Sequence, residues 1–149
     1  MASNSPETVI SPVPSQTQPA LQRSRAMAFV GATNLDRARA FYEGVLGLSI
    51  ISADDYALVA NVGGVRVRIA QAPSVVPAGY TVLGFEVPDT EATVRELTAC
   101  GIRFEQYAFL GPSQGSDGIW QAPGGTRVAW FKDSDGNLLS VSDAPAATD

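Results

Sequence analysis

NLDRARAFYEGVLGL, running from Asn34 to Leu48, reads as a capped amphipathic helix, and the rest of the chain is parsed outward from it. Asn34 suits the N-cap because its side-chain oxygen can accept a backbone N–H of the first turn. Asp36 then places negative charge where the helix dipole favours it. Leu35, Ala38, Phe41, Tyr42, Val45 and Leu46 recur at helical spacing, so one face is apolar and must be covered. Gly47 can supply the left-handed turn that ends the helix. Phe41 and Tyr42 read as structural residues.

Upstream, AMAFVGAT (26–33) is a short apolar run that reads as a buried strand. Downstream come LSIIS, YALVANV and VRVRIAQ, separated by the turn signals Asp54-Asp55 and Gly63-Gly64. This is one β-α-β-β-β unit ending near Pro73. After a linker at 74–79 the order repeats. YTVLGFEV is a strand closed by Pro88, and TEATVRELTAC is a helix capped by Asp89 or Thr90. IRFEQYAF (102–109) reads as the next strand, followed by a glycine-rich loop, LGPSQGSDG. TRVAWFK and LLSVS are the last two strands, joined by DSDGN. The expected class is α+β, built from two tandem β-α-β-β-β modules at 26–73 and 79–143, one domain over 26–143. Residues 1–25, rich in Ser, Pro, Gln and Thr, read as a flexible tail, with Val9, Ile10 and Val13 as an arm that could dock on a partner subunit. Residues 144–149 read as a C-terminal tail.

Composition narrows the function. The chain has 149 residues, ten basic and fifteen acidic, for a net charge of −5. Such a balance does not attract nucleic acid or an anionic membrane. No run approaches the roughly 20 apolar residues of a membrane span, and prolines interrupt the N-terminal apolar runs, so no secretion signal is expected. The expected location is cytoplasmic. There is no histidine, which removes Ser-His and Cys-His triads and the commonest transition-metal ligand. The single cysteine, Cys100, can form no intrachain disulfide and is expected to be a small buried core residue.

Three segments together carry a family resemblance: NLDRARAFYEGVLGL (34–48), FEVPDTEATVRELTACGI (85–102) and WFKDSDGNLLSV (130–141). In this order and spacing the chain resembles the vicinal oxygen chelate superfamily, which includes glyoxalase I, bleomycin- and fosfomycin-resistance proteins and extradiol dioxygenases. The resemblance covers about residues 26–143. It implies the glyoxalase/bleomycin resistance/dihydroxybiphenyl dioxygenase fold, in which two modules form a curved sheet cup around a central cavity. It also implies that the family's four metal-ligand positions fall on Met27, Arg68, Val82 and Ser140. None of these is a standard hard-metal ligand, and Arg68 would repel a cation. The expectation is therefore no metal and no cofactor. The family commonly dimerises, so a homodimer is expected.

Strand alternation gives an independent reading of the cup. In VRVRIAQ, Val65, Val67 and Ile69 share the helix-facing side, which leaves Arg66 and Arg68 on the other. By the same rule Met27 and Phe29, Val82 and Glu86, and Ser140 face the cup. Tyr107, Phe109 and Trp120 flank the glycine-rich loop, a candidate lid, and of the strand neighbours Trp130 and Phe131 one faces the cup and the other the core, with Trp130 the candidate. Each has a plainer role open to it. The arginines could be surface residues or pair with Glu86 or Glu105, Glu86 could be a salt-bridge partner instead of a general base, and the aromatics could be ordinary packing. DSDGN begins like a calcium loop but lacks the later ligands, so it reads as a turn. Three functions remain: a metal-free binder of a small organic molecule, such as an antibiotic-sequestering protein; a metal-independent lyase or isomerase with Glu86 as its candidate catalytic residue; and a protein-interaction module with a vestigial cup.

Overall fold

The structure, a computed structural model, describes residues 18–144. Within it the β-α-β-β-β order occurs twice. The first module comprises β1 (Met27–Ala32), helix α1 (Leu35–Arg39, continued as a π-helical turn over Ala40–Val45), β2 (Ser49–Ala53), β3 (Ala57–Val62) and β4 (Val65–Gln71). The second comprises β5 (Leu83–Val87), α2 (Thr90–Ala99), β6 (Trp120–Gln121), β7 (Arg127–Lys132) and β8 (Leu138–Asp143). Each module forms its own four-stranded mixed sheet, ordered β1-β4-β3-β2 and β5-β8-β7-β6, with its first strand parallel to its last. Among the described residues no helix is long and apolar enough to cross a membrane.

Both helices start where their caps dictate. Asn34 Oδ1 accepts from the Arg37 N–H at 2.9 Å, and Asp89 Oδ1 accepts from the Ala92 N–H at 3.1 Å. α1 then widens: the Leu46 N–H reaches back five residues to the Phe41 carbonyl at 2.9 Å. Tyr42 is fully buried and meets Phe41 edge-on at 5.1 Å. The period of two holds within β4 from Arg66 to Ile69, while β3 buries Ala57 to Ala60 in succession and Val65 is exposed. Val67 and Ile69 are buried, whereas Arg66 and Arg68 are not. One apolar core joins the modules, with Phe41 of α1 lying 6.5 Å from Phe131 of β7.

The DSDGN turn ties the modules together. Asp133 Oδ1 accepts from the backbone N–H groups of Asp135 and Asn137, both at 2.9 Å. Its Oδ2 accepts from the Tyr42 hydroxyl at 2.5 Å and the Asn137 amide at 2.9 Å. The Asn137 amide also donates to the Gly31 carbonyl at the end of β1. Asp135 Oδ2 accepts from the Thr33 hydroxyl at 2.6 Å and from Arg37 at 3.3 Å. Both oxygens of Asp133 and Oδ2 of Asp135 are thus occupied by protein donors, while Asp135 Oδ1 is buried without a partner among the described residues.

Two expectations fail for local reasons. IRFEQYAF forms no strand; it is irregular and leads into a 3₁₀ turn over Ala108–Ser113. Its backbone makes one bond to β7, from the Glu105 N–H to the Trp130 carbonyl at 2.8 Å, and beyond that Gln114 accepts from the Tyr107 N–H and donates to the Glu105 carbonyl. The two-residue strand β6 takes the sheet edge in its place. Cys100 is exposed. It caps the C-terminus of α2, where the Gly101 N–H bonds the Thr98 carbonyl and the Ile102 N–H bonds the Leu97 carbonyl. That paired closure swings Ile102 into the buried place that Cys100 was expected to fill. Residues 18–25 of the expected tail hold a 3₁₀ turn, Ala20–Arg23, with nothing buried. Val9, Ile10, Val13 and residues 145–149 lie outside the described residues.

Tyr42→Phe should destabilise the fold by about 1–3 kcal/mol, because a buried carboxylate loses a donor. Burial, reinforced by the Asp133 charge, holds the Tyr42 hydroxyl far above the usual tyrosine range. An unfolded tyrosine ionises near pH ~10, so this contribution is complete below that pH and is lost as pH rises further. Urea titrations across pH 8–11 should therefore show wild type losing stability faster than Tyr42→Phe above pH ~10. Parallel slopes would remove Tyr42 from the network.

Candidate functional site

On the first sheet the ladder fixes which side chains stand together. β1 runs parallel to β4 with Met27 beside Arg66 and Phe29 beside Arg68. On the other flank of β4, Asn61 lies beside Arg66 and Val59 beside Arg68. Neighbours in register share a face, so Met27, Phe29, Asn61, Arg66 and Arg68 form one surface opposite α1. It is open: Met27 is 42% and Phe29 61% exposed. Among the described residues neither Arg66 nor Arg68 has an acidic side chain within 4 Å, so the expected pairing with Glu86 or Glu105 is not formed. Glu105 pairs with Lys132 at 3.7 Å instead.

The second sheet presents a different chemistry. Ser140 of β8 sits between Trp130 of β7 and Gly84 of β5. Trp120 of β6 pairs with Val128, two residues along from Trp130 on the same face. The two indoles stack, with centroids 6.0 Å apart and planes at 29°. Tyr107 meets Trp130 edge-on at 5.5 Å, and Phe109 lies 5.6 Å beyond Tyr107. Four rings therefore form a continuous row ending in Phe109, which is 84% exposed. Burial, helped by the Glu105 charge, raises the pKa of the Tyr107 hydroxyl. Glu86 lies on this face, exposed, next to Ser142 in register. Val82 is half-buried against the core cluster and stands apart from the row.

The structure thus groups the expected residues into two sets. Met27 and Arg66 line a hollow of about 280 Å³ with Arg25, Ala26 and Gly64. Tyr107 lines another of about 310 Å³ with Lys132, Leu138 and the linker residues Pro77 to Gly79. A larger hollow of about 780 Å³ runs beside α2 over Val94, Ile102 and Phe104. Arg25 was not anticipated, since it lies before the first strand, where no periodicity marks a face. Gln114 was missed too. Its amide donates to the Glu105 and Gly118 carbonyls at 2.9 Å each, and Gln106 donates to the Gly115 and Ser116 carbonyls at 3.2 Å. The glycine-rich segment expected as a lid is therefore cross-braced by two glutamines.

Comparison with known proteins agrees with this architecture. Residues 25–141 match the family model of the Glyoxalase/Bleomycin resistance protein/Dioxygenase superfamily, and the chain belongs to that family. No curated protein matches the sequence. Among solved structures, a lactoylglutathione lyase from Agrobacterium tumefaciens is similar at 19% identity and TM-score 0.63, over 82% of this chain and 95% of that one. A bleomycin resistance determinant encoded on the transposon Tn5 is similar at 20% identity and TM-score 0.63, over 80% and 97%. A fosfomycin resistance protein from Listeria monocytogenes is similar at 14% identity and TM-score 0.63, over 83% and 94%. At these identities the likeness is one of fold.

Gly118 tests the bracing of the loop. It has φ +93°, and a Cβ there would lie 2.6 Å from the Phe104 Cβ. Gly118→Ala should cost about 2 kcal/mol or more in urea denaturation, from strain and overpacking together. Gly124→Ala, which meets nothing within 4 Å, should change stability by less than about 0.5 kcal/mol. Equal effects at the two glycines would mean that the loop is not held as described.

Proposed function

We propose that this protein binds and sequesters a small organic molecule without a metal ion, in a cup made from the open faces of its two modules and closed by a second copy of the chain. The observation that carries this reading is the row of Trp120, Trp130, Tyr107 and Phe109 on the second sheet. Rings with exposed edges and faces offer large apolar area at small conformational cost, which suits a flat or apolar organic ligand. The exposed Met27 and Phe29 on the first sheet support the second copy, since grouped large apolar side chains mark contact surfaces.

The metal of the family's enzymes fails on donor chemistry. The resemblance puts its ligands at Met27, Arg68, Val82 and Ser140: a thioether, a guanidinium, an alkyl group and a neutral hydroxyl. Divalent ions in such sites are held by imidazole, carboxylate or thiolate. Ser140 is also crowded, 8% exposed between Trp130 and Gly84, where an added Cβ on Gly84 would lie 3.1 Å from its Oγ. These residues do not fit a divalent cation.

Sequestration is favoured over turnover because Glu86, the carboxylate on this face, is exposed and has no side-chain partner among the described residues to orient it. A general base needs fixed geometry before anything else. An antibiotic-like ligand is one candidate, since bleomycin and fosfomycin resistance proteins share this fold, as does a lactoylglutathione lyase.

A thermal-shift panel tests this reading. It should contain bleomycin-type glycopeptides, planar aromatic compounds and the chlorides of nickel, zinc and manganese. An organic ligand at about 100 times its Kd adds about 2.7 kcal/mol, a shift of several degrees. We expect saturable shifts with organic compounds only, and a dimer mass by light scattering. A saturable shift with any of the three metals, or a strict monomer that binds no organic compound, would sink the proposal.

A further inference from the structure

We infer that the ligand is an organic anion: the first sheet holds a carboxylate or phosphate group with Arg25, Arg66 and Arg68, and carries the attached apolar body on Met27 and Phe29. This rests on the reading of the cup as a site for an organic molecule, and it names the chemical class of the occupant.

Placement is the first argument. The ladder sets Arg66 beside Met27 and Arg68 beside Phe29, so each guanidinium stands next to a large apolar side chain on the same face. Arg66 and Arg68 are two residues apart on one strand, roughly 6.5–7 Å along it, a separation that one anionic group with two or three oxygens can bridge using long side chains. Arg25 joins Arg66 and Met27 around the hollow of about 280 Å³. The Asn61 amide, on the other side of Arg66 in register, adds a neutral donor.

Charge is the second argument. This chain carries fifteen acidic residues against ten basic ones. Arg37, Arg39, Arg127 and Lys132 all lie within 4 Å of a carboxylate. Six arginines have no such partner among the described residues; Arg23, Arg95 and Arg103 lie elsewhere, whereas Arg66 and Arg68 share one face of β4 and Arg25 borders the hollow beside Arg66. The nearby acid, Asp54, is engaged otherwise: its Oδ1 accepts from the backbone N–H groups of Tyr56 and Ala57 at 2.8 and 2.9 Å. Those two bonds lower the Asp54 pKa and the Arg68 charge adds to this, yet among the described residues no carboxylate lies within 4 Å of any of the three guanidiniums, which leaves their donors open to whatever enters the face, and arginine forks match carboxylate and phosphate oxygens in pairs.

Calorimetric titration with four probes tests this: 1-naphthoate, 1-naphthyl phosphate, the neutral 1-naphthamide, and inorganic phosphate. We expect at least one aromatic anion to bind about tenfold or more tighter than naphthamide, and inorganic phosphate to bind weakly. Arg66→Met and Arg68→Met should each remove most of that preference while leaving naphthamide binding and the thermal midpoint unchanged. Arg95→Met, in α2, and Arg103→Met, just after it, should leave the preference intact. Raising salt from about 0.05 to 0.5 M should weaken only the anions. Equal affinity for the charged and neutral naphthyl probes would overturn the anion assignment and leave the organic-ligand reading standing. Failure of all three naphthyl probes to bind would overturn both. A preference that survives both arginine substitutions would remove the site from this sheet.

Discussion

Asp133 is the carboxylate on which the two-module arrangement depends. A buried charge is costly unless donors surround it, and this one is 8% exposed. Four donors meet it. Three are local and shape the β7–β8 turn; the fourth, the Tyr42 hydroxyl, comes from 91 residues away. The same turn reaches Gly31 and Thr33 through Asn137 and Asp135. A hairpin of the second module is thereby fixed to the end of the first strand of the first. Because β7 and β8 carry Trp130 and Ser140, and β1 carries Met27 and Phe29, this junction also fixes the two candidate binding surfaces relative to each other. A replacement in the turn would move a face, which is more than loosening a loop.

Much of this was legible in local pattern. Caps at Asn34 and Asp89, the alternation in VRVRIAQ and the turn at Gly63-Gly64 each have a short-range physical cause, and each appears where the residues place it. What was not legible came from partners far apart in sequence. Tyr42 reads as structural, but nothing near it announces Asp133. IRFEQYAF has the composition of a strand, yet it makes a single backbone bond to β7, and one glutamine side chain takes the neighbouring Tyr107 N–H and Glu105 carbonyl. Cys100 continues an apolar stripe by spacing, yet the helix closes one residue too early for it to turn inward. The candidate site divides the same way. Alternation puts Arg66 and Arg68 on one face of β4 and tells only that Trp130 and Phe131 face opposite ways, because a strand has a period of two. The joining of Tyr107 and Phe109 to the indole row depends on the irregular segment between α2 and β6, which alternation does not describe.

The two faces also differ in what they ask of a ligand. The aromatic row offers contact area and little direction; stacked rings accept many flat molecules. The arginine face offers direction and little area. A metal ion would combine both roles at one point, binding oxygens strongly and fixing their geometry. On the proposed reading, in which the resemblance puts a guanidinium at one of the family's ligand positions, that work would be distributed over several side chains, and weak interactions on an open sheet hold a small molecule poorly unless water is excluded around it. Enclosure therefore matters more on the proposed reading than it would in a metal-bearing relative. Neither face is enclosed within one described chain, where Phe29 on one and Phe109 on the other remain largely exposed. A second copy, bringing a face of one module against a face of the other, would supply the walls, and the same exposed rings that would seal the contact would then line the cavity.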